Sequence, residues 1–432
     1  MISIFARRGP CPPGWRHRGT VIATTQTAGL RALLTAPSFL RLWAIGGCAN
    51  TMRWFELLSA ALFTLDVTGS GLDVAMVSAA RTMPMLLLGA FSGVISEALN
   101  RKHVLLTGQI MACLSSGTVA VLAWCDVARP WHLGLAATVT GIVWSSEMAT
   151  RRRMVGECVD TPLVPRALAL DTMSNSFTRL IGPVSAGMIY QSWGIAGSYT
   201  ASSCMFALAA VLVSGLRYRQ DTRRLVLAQV PRDLKEGIVY ARTNTTIAGV
   251  LLVTIFMNLL GFPYNALVAP IGKLVFHVSP ALVGVLAASE SFGAFLGGIW
   301  LTTGGPRLPG RTLMVGGSMV FLSCVFLMPL APVFPLACAL LACGGFGSSA
   351  FANMQTSLIV LSTPAHIRSR LMGLLTVCIG MGPLGILLFG AVADWAGPML
   401  AIDLIVAVGL VCVSGAGLWW RRRDRDAGAV AG

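Results

Sequence analysis

Charged side chains are scarce in this sequence, and acidic ones are the scarcest. Asp, Glu, Lys and Arg together make up 11% of the 432 residues, whereas hydrophobic residues make up 55%. The mean hydropathy of +0.74 leaves too little polar surface for a water-soluble protein of this length. The composition therefore predicts that lipid is the solvent for most of the chain.

Motifs that would indicate catalysis or metal binding are also missing. The five His occur in predicted tails and loops without a His-Glu-x-x-His spacing, and the eleven Cys form no Cys-x-x-Cys pair. The sequence has no Walker-type phosphate loop either, which argues against ATP-driven pumping. We therefore expect no enzyme activity, no cofactor, no metal site and no disulfide bonds.

What the sequence does contain is a series of apolar runs of about 20 residues, the length that crosses a bilayer as a helix. The short alternating segments of a β-barrel are absent. We predict an all-α polytopic membrane protein with about twelve spans. Their expected positions are roughly 41–66, 72–95, 104–125, 133–150, 167–190, 199–216, 247–268, 280–302, 312–331, 335–362, 371–393 and 399–419.

The distribution of basic residues predicts how these spans are oriented. If both termini are cytoplasmic, 27 of the 32 Lys and Arg fall in cytoplasmic tails and loops, and two fall on the opposite side. Such a bias is the positive-inside signal of a multi-pass protein in the plasma (inner) membrane. The same signal accounts for the net charge of +15 without a nucleic-acid partner.

A basic connection near the middle of the chain predicts two halves. Residues 217–246 carry seven Lys and Arg and separate an N-terminal six-helix bundle at 39–216 from a C-terminal one at 247–420. We expect cytoplasmic tails at 1–38 and 421–432. A short motif in span 5 and its exit loop recurs in span 11 at an offset of two hundred residues, which fits two pseudo-symmetric bundles. The matched residues are Gly182-Pro183 and Gly197 with Gly382-Pro383 and Gly397.

Several motifs resemble those of one transporter family. Residues 93–102, between the second and third spans, look like the Gly-x-x-x-Asp-Arg-x-x-Arg-Arg gating loop of the major facilitator superfamily. Glu97 replaces its Asp and Ala98 replaces its first Arg, so the candidate gating residues are Gly93, Glu97, Arg101 and Lys102. Further matches are Asn175-x-x-x-Arg179-x-x-Gly182-Pro183-x-x-x-Gly187, Leu234-x-Glu236-Gly237-x-x-Tyr240 and Arg370-x-Met372-Gly373.

In its order of motifs the sequence resembles this superfamily over most of its length. Within the superfamily it is similar to the drug:proton antiporter branch, which includes macrolide and siderophore (enterobactin-type) exporters. The resemblance implies alternating access, in which two six-helix bundles rock about a central cavity and protons drive transport.

Charged residues inside predicted spans carry the information on mechanism, because an ionised group in the bilayer must face a cavity or a partner. Asn50, Arg53 and Glu56 form a polar stripe on the first span, and their spacing permits an ion pair between Arg53 and Glu56. Either this pair only stabilises the N-terminal bundle, or the stripe faces the cavity and contains the proton site.

Three more charged residues belong to the candidate cavity: Arg81 in span 2, Arg179 in span 5 and Glu290 in span 8. Arg179 either forms a structural pair with Asp171 or Glu147 or faces the cavity. Glu290 either finds a partner in another span or stays protonated. Three Arg against two Glu would make the cavity cationic, which favours an anionic substrate.

Together these observations predict a secondary active, proton-coupled exporter of a small organic molecule such as a drug, macrolide or siderophore. An importer or a dedicated metabolite transporter of the same fold stays open, as does a membrane receptor that transports nothing. The expected partners are the small molecule, protons and the lipid bilayer, and a monomer suffices for this architecture.

Overall fold

The computed structural model describes residues 33, 35–98, 100–216, 218, 229–303 and 308–430, and every regular element in these ranges is helical. This confirms the all-α polytopic fold. Most of the predicted tail at 1–38 and much of the predicted linker at 217–246 lie outside the described residues. The domain boundaries therefore stay predictions.

The described helices make up twelve spans. Spans 1 to 4 are Pro37–Thr68, Gly71–Ala98, Arg101–Trp124 and Pro130–Glu157. Spans 5 and 6 share the helical run Val164–Ser214, which is divided at Gly194. Spans 7 to 10 are Thr245–Val275, Pro280–Thr303, Gly310–Leu327 and Phe334–Leu361. Span 11 consists of Ala365–Ile379 and Gly382–Ala396, and span 12 is Pro398–Val430.

Length and hydropathy alone identify nine candidate spans in this part of the chain. The difference from twelve has a physical origin. Spans 5 and 6 count as one helix, and spans 1 and 4 are the less apolar ones because they carry several charged residues inside or close to the membrane. The charges that lower their hydropathy are the same ones that form the site described below.

A glycine lets the chain reverse between spans 5 and 6. Gly194 has φ 60° and ψ −158°, a conformation that a residue with a β-carbon rarely adopts. The sequence motif places Gly197 in the exit loop of span 5. This placement is wrong, because Gly197 is buried within the helix that follows. The corresponding turn after span 11 does use the predicted residue, Gly397, at φ 86°.

Span 7 is an interrupted helix. Its first part, Thr245–Phe256, is α-helical, and it continues through a π-helical segment, Met257–Gly261, into a 3₁₀ segment, Phe262–Leu267. Pro263 and Pro270 lie in the irregular part and cannot donate the usual backbone hydrogen bond. The changed helical twist brings Tyr264 and Asn265 of this segment toward span 8.

The two halves contact each other closely at the ends of their spans that lie opposite the described chain termini. We call this the outer side, following the orientation that the basic residues predict. A β-carbon added at Gly187 of span 5 would lie 2.3 Å from the Pro280 carbonyl oxygen, and one at Gly284 of span 8 would lie 2.4 Å from the Pro183 carbonyl oxygen. Spans 5 and 8 therefore touch backbone to backbone.

Polar bonds reinforce this contact at the outer surface. Lys273 of span 7 forms an ion pair with Asp66 at the end of span 1, and the Tyr190 hydroxyl donates to the same carboxylate at 2.7 Å. The Ser70 hydroxyl donates to Asp394 of span 11 at 2.9 Å. Two of these three bonds join one half to the other, so the structure is closed toward the outer side.

At the inner side, the predicted gating residues hold the N-terminal half together. Arg101 pairs with Glu157 and donates to the Tyr218 hydroxyl at 2.6 Å, and the Lys102 ammonium donates to the Ser214 carbonyl at 2.9 Å. These contacts join the inner ends of spans 3, 4 and 6.

The rest of the predicted gating loop takes a different form. Gly93 and Glu97 lie on the last turns of span 2, which extends to Ala98, so this stretch is helix rather than loop. Their side chains lie outside the described part of the structure. In the C-terminal half, a linker helix at Gln229–Thr243 is joined to span 11 by an ion pair between Glu236 and Arg370 at 2.5 Å.

Glycines set how closely spans 8 and 10 approach. A β-carbon at Gly293 would lie 1.7 Å from the Ala342 carbonyl oxygen, and one at Gly345 would lie 1.9 Å from the Glu290 carbonyl oxygen. Neither contact can be relieved by moving a flexible side chain, because both involve backbone. The geometry therefore assigns these glycines to close helix packing.

We predict that Gly293→Ala destabilises the protein by about 1–3 kcal/mol, the usual cost of overpacking a well-packed interior. The matched control is Gly298→Ala on the same helix, where an added β-carbon meets nothing within 4 Å. The midpoint of thermal unfolding of the purified protein in detergent measures both. Equal midpoints for the two variants would contradict the packing assigned to spans 8 and 10.

Candidate substrate and proton site between the halves

Glu56 is the centre of a hydrogen-bond network inside the N-terminal half. Its side chain is 1% exposed, forms an ion pair with Arg81, and accepts hydrogen bonds of 2.5 Å from both Ser116 and Ser202. The four residues come from spans 1, 2, 3 and 6. Both carboxylate oxygens are thus bonded, as a buried charge requires.

The ion pair that the spacing permits between Arg53 and Glu56 is not the one that forms. Arg81 reaches Glu56 from the neighbouring span and also donates to the Arg53 carbonyl oxygen at 3.0 Å. That second bond fixes the Arg81 guanidinium beside the carboxylate. Glu56 and Arg81 therefore support the N-terminal half from within.

Arg53 lies between two indole rings. Its guanidinium carbon is 5.0 Å from the centre of the Trp54 ring and 4.5 Å from that of Trp144. In the described part of the chain it forms neither an ion pair nor a side-chain hydrogen bond. Cation–π contact with two Trp compensates part of the cost of burying this charge. The guanidinium lines a cavity between spans 1, 4 and 5 together with Asn50 and Asn175.

Arg179 and Glu290 form an ion pair between the halves. A guanidinium nitrogen of Arg179 on span 5 is 3.5 Å from a carboxylate oxygen of Glu290 on span 8. The other carboxylate oxygen accepts hydrogen bonds from Tyr264 at 3.3 Å and Asn265 at 3.5 Å. Arg179 also lies over the Trp54 ring, at 4.9 Å, so this pair and Arg53 share one aromatic side chain.

Of the two alternatives for Glu290, the structure contains the partner in another span. The partners proposed for Arg179 are wrong, because Asp171 forms a two-armed ion pair with Arg151 and Glu147 accepts a hydrogen bond from Gln109 at 3.3 Å. The sequence did not single out Arg151 because the predicted fourth span ended at residue 150, whereas the helix continues to Glu157.

These additional residues change the charge balance of the cavity region. Among the described charged residues around it that are not exposed, four Arg are matched by four carboxylates, so the expected surplus of cations is confined to the exposed Arg152 at the cavity edge. The eight residues are Arg53, Arg81, Arg151, Arg179, Glu56, Glu147, Asp171 and Glu290.

Polar atoms without partners cluster at the same place. Buried side-chain atoms seldom lack a hydrogen-bond partner in a folded protein, so each such atom calls for an explanation. Four of those found among the described residues line the cavities around Arg53 and Arg179: Trp54 Nε1, Trp144 Nε1, Asn175 Oδ1 and Arg179 Nε. A fifth, Glu290 Oε1, has no hydrogen bond but lies in the ion pair with Arg179. Groups of this kind can bind a polar molecule.

No metal-binding group occurs among His, Cys, Asp and Glu in the described residues, and the ten cysteines found there are all free thiols. The site therefore relies on guanidinium, carboxylate, amide and indole groups. These groups can bind a small molecule and exchange protons, but the set contains no nucleophile paired with a base.

Similar proteins are membrane transporters. The multidrug efflux pump Tap of Mycolicibacterium fortuitum is 22% identical over 81% of this chain and 88% of its own length. The macrolide efflux protein A of Streptococcus pyogenes is 20% identical, with 87% and 95% covered. The staphyloferrin A transporter of Staphylococcus aureus (strain NCTC 8325 / PS 47) is 21% identical, with 84% and 91% covered.

Solved structures show the same fold. An inward-facing, occupied bacterial homologue of the human lysosomal transporter Spinster superposes with a TM-score of 0.70 at 15% identity, covering 90% of this chain and 96% of that one. The nucleoside transporter NupG gives 0.68 at 11% identity, with 89% and 99% covered.

A family model described as transmembrane secretion effector matches residues 28–430. This match includes all twelve spans, and the relatives and neighbours that accompany it are transporters rather than enzymes. The chain therefore belongs to the transmembrane secretion effector family of the major facilitator superfamily and is a multi-span membrane transporter.

Proposed function

We propose that this protein exports a small organic molecule from the cytoplasm in exchange for protons, and that the molecule carries an acidic group. The names of the relatives, which are efflux proteins for drugs and macrolides and a transporter for a siderophore, support export. The orientation that the basic residues predict places the inner side in the cytoplasm. The closed outer side then leaves the cavity to be loaded from within.

The observation that carries the proposal is the ion pair of Arg179 with Glu290. In the described part of the chain it is the ion pair that joins the two halves at the depth of the cavity, whereas Asp66 and Lys273 join them at the outer surface. Glu290 is 2% exposed, so separating this pair would leave a buried charge without its partner. We infer that the pair holds the empty transporter closed toward the outside.

Binding of either the substrate or a proton is sufficient to release the Arg179–Glu290 pair. An acidic group of the substrate offers Arg179 another anion, and a proton removes the charge of Glu290. Exchange requires that the empty carrier does not change its orientation while each loaded form does. An ion pair that only a bound ligand weakens keeps the empty carrier in one orientation and lets each loaded form change orientation. No further conformational switch is needed.

Arg53 supplies the second contact for the acidic group. A buried guanidinium without an anion is costly, and an anionic ligand reduces that cost. Trp54 and Trp144 flank it and add flat apolar surface, which favours an aromatic or otherwise planar scaffold. Because Glu56 and Arg81 are fully bonded to each other and to two serines, we assign them to the stability of the N-terminal half.

The direction and the proton coupling can be tested in everted membrane vesicles energised by respiration, in which an exporter accumulates its substrate. We use nalidixic acid as an anionic probe, chloramphenicol as a neutral one and ethidium as a cationic one. Nalidixic acid should accumulate, and dissipating the proton gradient should abolish the accumulation. Accumulation in intact cells instead of vesicles would show import and contradict the proposal.

In the same vesicles, Glu290→Gln should reduce proton-driven accumulation of nalidixic acid by about 5- to 150-fold, the range of a typical coupling between two ligands. Exchange of labelled for unlabelled probe should persist, because this exchange needs no proton. Asp403→Asn in span 12 is the matched control and should change neither activity. Undiminished proton-driven transport by Glu290→Gln would show that another group carries the proton.

Arg53→Gln should weaken binding of nalidixic acid by about 10- to 100-fold, as expected for the loss of a hydrogen bond to a charged group. Binding of chloramphenicol should stay nearly unchanged, since it needs no cation. The matched control, Arg152→Gln, removes an exposed guanidinium at the edge of the same cavity. Equal losses for both probes would indicate damage to folding and contradict the role of Arg53.

A further inference from the structure

Glu147 on span 4 is a buried carboxylate to which the transport mechanism gives no role. Glu147 is 9% exposed, and its carboxylate accepts one hydrogen bond, from the Gln109 amide at 3.3 Å. Glu56, Asp171 and Glu290 each form an ion pair, whereas Glu147 forms none with any residue that the structure describes. A buried carboxylate with a single hydrogen bond has acceptor capacity left over.

Glu147 and Arg53 face the same space. Both line the cavity between spans 1, 4 and 5, and both line the smaller one that extends toward span 2. Trp144, three residues before Glu147 on the same face of its helix, carries the ring over which Arg53 lies. One cavity therefore presents a cation and an anion that are not in an ion pair with each other.

Charged and polar groups surround Glu147 on every element packed against span 4. They are Arg53 of span 1, Arg81 of span 2, Gln109 of span 3, Asp171 of span 5 and, on span 4 itself, Arg151. Arg81, Arg151 and Asp171 are already in ion pairs with other residues. Arg152 of span 4 also lines this cavity but is exposed, so Arg53 is the remaining half-buried cation that can share a ligand with Glu147.

We propose that the substrate is zwitterionic, with its acidic group bound by Arg53 and a protonated amine bound by Glu147. This inference rests on the proposed function and specifies the substrate class of the same site. A zwitterion brings one charge to Arg53 and the opposite charge to Glu147, whereas a simple anion leaves Glu147 without a counter-charge in a poorly solvated cavity. The protonated amine can also donate hydrogen bonds to the acceptor positions of the Glu147 carboxylate that the Gln109 amide does not occupy.

The arrangement fits exchange with protons as well. A proton on Glu147 removes the anion that the amine of the substrate requires, so proton and substrate exclude each other at this carboxylate. This exclusion at Glu147 acts in addition to the condition for exchange that the Arg179–Glu290 pair supplies. Glu147 is thus a residue that determines specificity, separate from the Arg179–Glu290 pair that joins the halves.

Three quinolones on similar scaffolds test the proposal. Norfloxacin carries a carboxylate and a protonated amine, nalidixic acid carries the carboxylate without that amine, and the methyl ester of norfloxacin carries the amine without the carboxylate. Binding to the purified protein in detergent is measured by calorimetry at neutral pH. We expect the wild type to bind norfloxacin about 10- to 100-fold more tightly than either of the others, the range for one hydrogen bond to a charged group.

Variants then assign each charge. Glu147→Gln should remove the preference for norfloxacin over nalidixic acid and leave the affinity for nalidixic acid unchanged, and Glu147→Asp should restore part of the preference. Arg53→Gln should instead remove the preference over the ester. Glu290→Gln should retain both preferences while losing proton-driven transport, which separates this proposal from the proposed function. A wild type that binds nalidixic acid as tightly as norfloxacin, or binds none of the three, would overturn the assignment to Glu147.

Discussion

An ionised side chain in a low-dielectric interior must have a partner, and the arrangement of the described spans depends on this constraint. Glu56 with Arg81 and Asp171 with Arg151 satisfy it within the N-terminal half, and Arg179 with Glu290 satisfies it between the halves. Among the described charged residues of the cavity that are not exposed, Arg53 and Glu147 are the two exceptions. Both line the same space, where a substrate can supply what the protein does not.

The location of each pair determines what it does during transport. Pairs inside one half keep that half rigid, because four spans converge on Glu56 and its partners. Contacts between the halves must break when the transporter turns outward. Those contacts are the close approach of spans 5 and 8, the outer bonds made by Asp66 and Asp394, and the Arg179–Glu290 pair. The last lies among the residues that line a cavity between the halves.

Hydropathy was sufficient to predict the fold class and the number of spans, and it pointed to charged residues within the spans because burial of a charge is costly wherever it occurs. Pairing was not predictable, because spacing along a helix shows which residues share a face but not which neighbouring span that face meets. Arg53 and Glu56 are suitably spaced for a pair, yet Arg81 of another span takes the carboxylate. Arg151 and Gly194 were missed because hydropathy locates the end of a helix only within several residues.

The central claim is that the Arg179–Glu290 pair holds the empty transporter closed on its outer side. Distances between spin labels at positions 191 and 282, near the outer ends of spans 5 and 8, test it directly in a variant otherwise free of cysteine. The account predicts one short distance for the wild type at neutral pH, and an added population at longer distance in acid or in Glu290→Gln at any pH. If Glu290→Gln gives the same short distance as the wild type under all conditions, the pair does not hold the halves together.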